Sequence, residues 1–126
     1  MPEWIIQEMI RYFDHRGIPI NQHSLPEGYL QIDLAYDGVL EVDYLPAEES
    51  LLFSLRLVQD AHQAIVRQML AMNHYLKKLP FSPTCHLYDS SIVLRTCLVN
   101  EAVSLVNIES VFTNLLQRKQ ILIDNG

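Results

Sequence analysis

Glycine is scarce in this chain, four residues in 126, and cysteine scarcer still, with two. So few glycines leave little room for a loop that cradles phosphate. No Walker, G-x-S-x-G or dinucleotide-binding glycine spacing occurs. The five histidines (His15, His23, His62, His74, His86) show no H-x-x-x-H spacing, and Cys85 and Cys97 make no C-x-x-C pair, so zinc has no ligand set. Cys85 is followed by His86, but neighbours on a strand point to opposite faces, which defeats a nucleophile–base pair. No apolar run approaches the length needed to span a bilayer. Lys and Arg number nine, scattered, against fifteen Asp and Glu, for a net charge of −6. A surface that tracks a phosphate backbone needs concentrated basic charge, so nucleic acid is not an expected partner. The first ten residues carry two glutamates where a secretory signal would carry positive charge, which predicts a cytoplasmic chain with reduced thiols.

What the chain does have is apolar content and clear periodicity. Hydrophobic residues make up 49% of a length suited to one domain, enough to bury a core without staples. Trp4, Ile5, Met9, Tyr12 and Phe13 recur at helical spacing, His15 and Arg16 suit the negative end of the helix dipole, and Gly17 is a natural stop. This predicts a helix over residues 3–15. A connector broken by Pro19, Pro26 and Gly28 follows.

Residues 29–45, Y-L-Q-I-D-L-A-Y-D-G-V-L-E-V-D-Y-L, then alternate apolar and polar around an Asp-Gly. A two-residue turn at Asp37-Gly38 would set Leu34 opposite Glu41 and mix the faces. A three-residue loop of Tyr36, Asp37 and Gly38, with Gly38 left-handed in a bulge, pairs Ala35 with Val39, Leu34 with Leu40 and Ile32 with Val42. The second register keeps one face apolar and is the expected one. It also gathers Gln31, Asp33, Glu41 and Asp43 on the opposite face. An acid–base pair or a hard-cation site would need convergent ligands and a pocket. An open strand face offers neither, so these carboxylates are expected on a solvated surface.

A third strand, L-L-F-S-L-R-L-V, leads to Asp60, the expected N-cap of a helix over about residues 61–78. The stripe of that helix is Ile65, Met69, Met72 and Leu76, either core filler or a contact surface that tolerates repacking. After the prolines of L-P-F-S-P, a second hairpin across Asp89 and Ser90 sets Leu87 opposite Ile92 and Cys85 opposite Leu94. Cys97 then points away from Cys85, which bars a disulfide. A last helix, starting between Asn100 and Ile108, carries Leu105, Ile108, Phe112, Leu115 and Leu116. The residues thus predict one α+β domain over 1–126, in the order α-β-β-β-α-β-β-α.

This chain resembles the class I chaperones of type III secretion systems along essentially its whole length. The resemblance is carried by W-I-I-Q-E-M-I-R-Y-F-D-H-R-G-I-P, L-Q-I-D-L-A-Y-D-G-V-L-E-V and S-V-F-T-N-L-L-Q-R-K-Q. The early Trp, the aromatic first helix and G-I-P are most similar to the small subunit of the heterodimeric chaperone that binds the secretion gatekeeper, or plug protein. The resemblance implies a strongly twisted five-stranded antiparallel sheet with three helices. It implies a chaperone contributing to virulence and protein transport in the cytoplasm of a Gram-negative bacterium, with peripheral contact to the export apparatus and no membrane anchor. No catalysis, ATP use or cofactor goes with it. A secreted client would wrap its N-terminal segment around a chaperone dimer in extended form and remain fit for export.

Carried onto these residues, the resemblance places client binding at Trp4, Ile5, Tyr12, Leu87, Ile92 and Leu94, and subunit pairing at Ile65, Met69, Met72 and Leu76. The acidic face of Asp33, Glu41 and Asp43 would keep such a dimer soluble or meet a basic stretch of client. Two further readings remain open: a homodimeric chaperone for a toxin, and a non-enzymatic adaptor for a folded partner.

Overall fold

The computed structural model describes residues 3–18, 20, 29–60, 63–75 and 83–125. Along the chain run α1 (Glu3–His15), β1 (Tyr29–Asp33), β2 (Val39–Leu45), β3 (Ser50–Asp60), α2 (Gln63–Tyr75), β4 (Thr84–Tyr88), β5 (Ser91–Val99) and α3 (Leu105–Asn125). Short 3-10 turns lie at Ala35–Asp37 and Asn100–Ala102. The five strands form one antiparallel sheet in the order β1-β2-β3-β5-β4. This is the predicted α-β-β-β-α-β-β-α order.

Helix α1 begins and ends where its periodicity indicates. Ile5, Met9, Tyr12 and Phe13 form its buried stripe. Gly17 takes φ 75° and closes the helix in a Schellman motif: its N–H donates to the Asp14 carbonyl, and the Ile18 N–H to the Phe13 carbonyl. Ile18 is thereby turned back against the core. At the start of α3, the Ser104 hydroxyl accepts the Asn107 N–H at 3.2 Å, an N-cap inside the window the sequence left open. Asp60, expected as the N-cap of α2, is instead the last residue of β3, and the residues joining it to α2 lie outside those described. So do the predicted last residues of that helix, Leu76 among them.

The first hairpin keeps its predicted faces but not its predicted register. Asp33 pairs with Val39, Ile32 with Leu40 and Leu30 with Val42, a shift of two residues from the expected pairing. Because side chains alternate with period two, an even shift leaves Leu30, Ile32, Leu40 and Val42 together on the inner face. Two local facts move the loop back to Ala35, Tyr36 and Asp37. The Asp33 carboxylate accepts the Ala35 N–H at 2.8 Å and helps hold Ala35 at φ 56°, while the Leu34 N–H donates to the Gly38 carbonyl. Gly38 serves a different purpose from the expected bulge: a Cβ there would lie 2.1 Å from the carbonyl oxygen of Arg56 on β3.

The second hairpin has the predicted register, Leu87 opposite Ile92 and Cys85 opposite Leu94, around Asp89 and Ser90 at φ 50° and 69°. Cys85 is buried and Cys97 exposed, and no disulfide joins them. One core joins the inner sheet face to the three helices: Leu30, Ile32, Leu40, Val42, Phe53, Leu55, Ile92 and Leu94 pack with residues of α1, α2 and α3. The helices therefore share one face of the sheet.

Candidate functional site

The six residues expected at a client surface divide sharply. Ile5, Tyr12, Ile92 and Leu94 are buried within the chain's own core, while Trp4 and Leu87 stand about half exposed. The cause is geometric. Ile5 lies on the inward stripe of α1 and Trp4 is rotated about 100° from it. Ile92 and Leu94 sit on an inner strand, flanked on both sides, whereas Leu87 lies on the edge strand β4 beside the turn at Asp89 and Ser90. The side chains free to meet another molecule are thus Trp4 and Leu87. Of the four residues expected at a subunit interface, Ile65 and Met69 are buried in the core; the side chain of Met72 and all of Leu76 lie outside the described residues. The outward face of α2 is made by Gln63, Arg67, Leu70 and Ala71 instead.

The carboxylates of the first hairpin lie on the sheet face away from the helices. Register places Gln31 beside Glu41 and Ser54, and Arg95 beyond Ser54. The neighbouring row runs Asp33, Val39, Arg56, Val93 and His86. Acidic side chains on β1 and β2 thus face across to Arg56 and Arg95, and the Arg95 Nε donates to the Ser54 hydroxyl at 3.3 Å. Burial, then the Glu41 and Asp43 carboxylates, raise the Tyr29 hydroxyl above its ordinary pKa. Among the described residues no three His, Cys, Asp or Glu side chains are placed to hold a metal ion. This is a mixed polar surface, and Asp33 has a local task in the loop.

A feature with no signal in the linear sequence is a cleft of about 360 Å³, lined by Arg16, Gly17, Ile18, Asp33, Leu34, Asp37, Phe112 and Leu116. Three separate parts of the chain build it. The Schellman turn supplies Ile18, the hairpin loop supplies Leu34, and α3 supplies Phe112 and Leu116. Tyr12, Phe13 and Phe112 meet edge to face with centroids 5.0 to 5.9 Å apart, which fixes the Phe112 ring. Arg16 lies over that ring at 5.1 Å and reaches Glu109 at 3.4 Å. On the opposite rim Asp37 accepts a hydrogen bond from the Lys119 ammonium, so the hairpin loop is tied to α3.

The cleft therefore has an apolar floor of Ile18, Leu34, Phe112 and Leu116 under a rim that carries both signs of charge. It opens beside the end of β1, an edge strand. Such a site takes one apolar side chain from an extended segment while the edge strand offers main-chain hydrogen bonds. Nothing in it suggests bond-making chemistry. The Cys85 thiol lies elsewhere, under α2 and α3, and burial pushes its pKa up to about 12 against the opposing influence of Arg118.

No protein-family model matches the chain, and no curated protein is significantly similar to it in sequence. Solved structures are similar in fold. A chain of the ExsC–ExsE complex aligns with a TM-score of 0.73 and 15% identity, over 94% of this chain and 90% of that one. The structure of the Yersinia pestis type III secretion chaperone SycH with a stable fragment of YscM2 aligns with a TM-score of 0.68 and 18% identity, over 94% and 98%. An uncharacterized protein from Methanothermobacter thermautotrophicus also aligns, with a TM-score of 0.65 and 12% identity over 93% of each chain. At such identities the likeness establishes the fold: three helices and a five-stranded antiparallel sheet, as in type III secretion chaperones. Function has to be argued from surfaces.

Proposed function

We propose that this chain is a type III secretion chaperone that holds the N-terminal segment of a secreted client in extended form, as one subunit of a heterodimer whose client is the secretion gatekeeper. The observation that carries the reading is the shared fold along nearly the whole chain with a secretion chaperone caught in complex with a partner fragment. The surfaces support it. An apolar cleft beside an edge strand suits an unfolded segment, because one side chain can be seated while the backbone bonds to the edge. Trp4 and Leu87 add half-exposed apolar contacts. Holding a segment in this way needs no bond to be made or broken, consistent with a site built from packing and hydrogen bonds.

On this reading the second subunit packs on the α2 side, with Leu70 as the outward apolar residue and Ile65 and Met69 supporting the helix from within. The gatekeeper assignment rests on the first-helix resemblance, W-I-I-Q-E-M-I-R-Y-F-D-H-R-G-I-P. Light-scattering mass tests the pairing. The chain purified alone should be poorly soluble or ill-behaved and become a one-to-one pair when co-expressed with the right chaperone-sized neighbour. A clean, stable dimer of the chain alone would favour a homodimeric effector chaperone and overturn the gatekeeper reading.

A further inference from the structure

Tyr36 is the most exposed large apolar side chain among the described residues, at 90%. No ring or cation among those residues packs against it. A single exposed apolar side chain ordinarily needs no explanation. The loop that carries this one does.

Three backbone hydrogen bonds close that loop. The Leu34 N–H donates to the Gly38 carbonyl at 2.8 Å, the Gly38 N–H to the Ala35 carbonyl at 3.1 Å, and the Asp37 N–H to the Leu34 carbonyl at 3.2 Å. The Asp33 carboxylate accepts the Ala35 N–H while Ala35 stands at φ 56°, a strained backbone for any residue with a Cβ. Two further contacts fix the turn against the rest of the fold. Asp37 takes the Lys119 ammonium of α3, and Gly38 lies so close to β3 that a Cβ would strike the Arg56 carbonyl. The backbone on both sides of Tyr36 is thus held, while its ring stands in water and adds no packing to the core. A tyrosine offers a large apolar body with only two side-chain torsions to freeze. A ring already held in place therefore loses little to ordering when it meets another molecule.

Position decides what the ring meets. Leu34 and Asp37, which flank the tip, both line the cleft. Chain geometry alone keeps the Tyr36 Cα within about 7 Å of the Leu34 Cα. Side chains on one side of an extended segment repeat every second residue, again about 7 Å apart. We propose that Tyr36 is a second anchor for the client: its ring packs on an apolar side chain two positions from the one seated in the cleft. Ala35, also exposed, extends the apolar tip. The inference rests on the reading of the cleft as the client site and adds a specificity-determining residue to it. The cleft alone accepts any segment with one suitable apolar side chain. Cleft and Tyr36 together require two, at a spacing that only an extended segment provides.

Double-mutant cycles test this directly. The isolated N-terminal segment of the secreted gatekeeper is alanine-scanned against the paired chain in wild-type, Tyr36→Ala, Tyr36→Phe and Leu116→Ala forms, and thermal melts check that each variant folds. Tyr36→Ala should weaken binding about tenfold with no change in melting, and Tyr36→Phe should stay within about threefold of wild type. One apolar segment residue should couple to Leu116 and another, two positions away, to Tyr36, each with about fivefold non-additivity. Coupling at Leu116 with none at Tyr36 overturns the inference and leaves the cleft as the client site. Coupling of Tyr36 to a residue at any other spacing also overturns it, as does a Tyr36→Ala loss matched by a lower melting temperature. A wild-type pair that fails to bind the segment, or binds it with no coupling at either position, overturns the cleft reading and the inference together.

Discussion

The half of the molecule built from α1, the first hairpin and α3 differs from the half built from α2 and β4. Helices α1 and α2 are each thirteen residues long, and each buries an apolar stripe in the common core. Their outer faces are unlike. On α1, Glu8 pairs with Arg11, Arg16 just beyond the helix pairs with Glu109 of α3, and Asp37 of the hairpin pairs with Lys119. That half supplies counter-charges to its own cations, and its cleft is framed by them. On α2 the outward stripe offers Arg67 and Leu70 with no carboxylate anywhere in the helix or in β4. Under the proposed function, the half that completes itself holds the client and the half left uncompleted takes the other subunit.

Adjacent substitutions give the largest contrast. Ile5→Ala or Met69→Ala, each removing a buried side chain, should cost about 2–5 kcal/mol in denaturant unfolding. Trp4→Ala and Leu70→Ser, one residue away, should stay within about 0.5 kcal/mol. Their cost should appear in client binding for Trp4 and in subunit pairing for Leu70. Equal losses of stability at both members of either couple would erase the distinction between inner and outer faces.

The hairpin that rims the cleft should be nearly as sensitive at one position. Gly38→Ala forces a methyl group into the Arg56 carbonyl at a φ of 107° and should cost about 2 kcal/mol or more. A smaller effect is expected at the clamp between loop and helix. Asp37→Ala leaves the buried Lys119 ammonium without its partner, yet Asp37 is nearly half open to water, so the loss should be about 1–2 kcal/mol. Lys119→Met should be close to neutral. A larger loss for Lys119→Met than for Asp37→Ala would mean that packing of the lysine stem, not the charge, holds the loop. The mildest change is Tyr12→Phe. Its hydroxyl is buried beside the Glu109 carboxylate, which also pairs with Arg16, so removal should cost about 1 kcal/mol or less in a thermal melt.

The sequence made some of these differences readable and hid others. The bounds of α1, its Gly17 stop and the register of the second hairpin depend on local spacing and turn chemistry, and local rules sufficed. The register of the first hairpin did not follow from its own residues, because Gly38 answers to the backbone of β3 rather than to a bulge. The cleft was invisible for a similar reason: Ile18, Leu34 and Phe112 are far apart in sequence and meet only in the fold. Periodicity found the apolar stripe of α2 but could not assign it to core or contact surface. Ile65 and Met69 proved to face inward. Family resemblance pointed to α1 and the sheet as the client surface, yet Ile5, Tyr12, Ile92 and Leu94 are buried in the chain's own core.

The most direct test of the chaperone reading is the affinity of the paired chain for a client in two forms: the isolated N-terminal segment of the secreted gatekeeper, and the full-length protein. The account predicts dissociation constants within about threefold of each other, since an extended segment makes the contacts and a folded client body adds little. Binding that needs the folded body, and is lost with the segment alone, would contradict it and make the chain an adaptor for a folded partner.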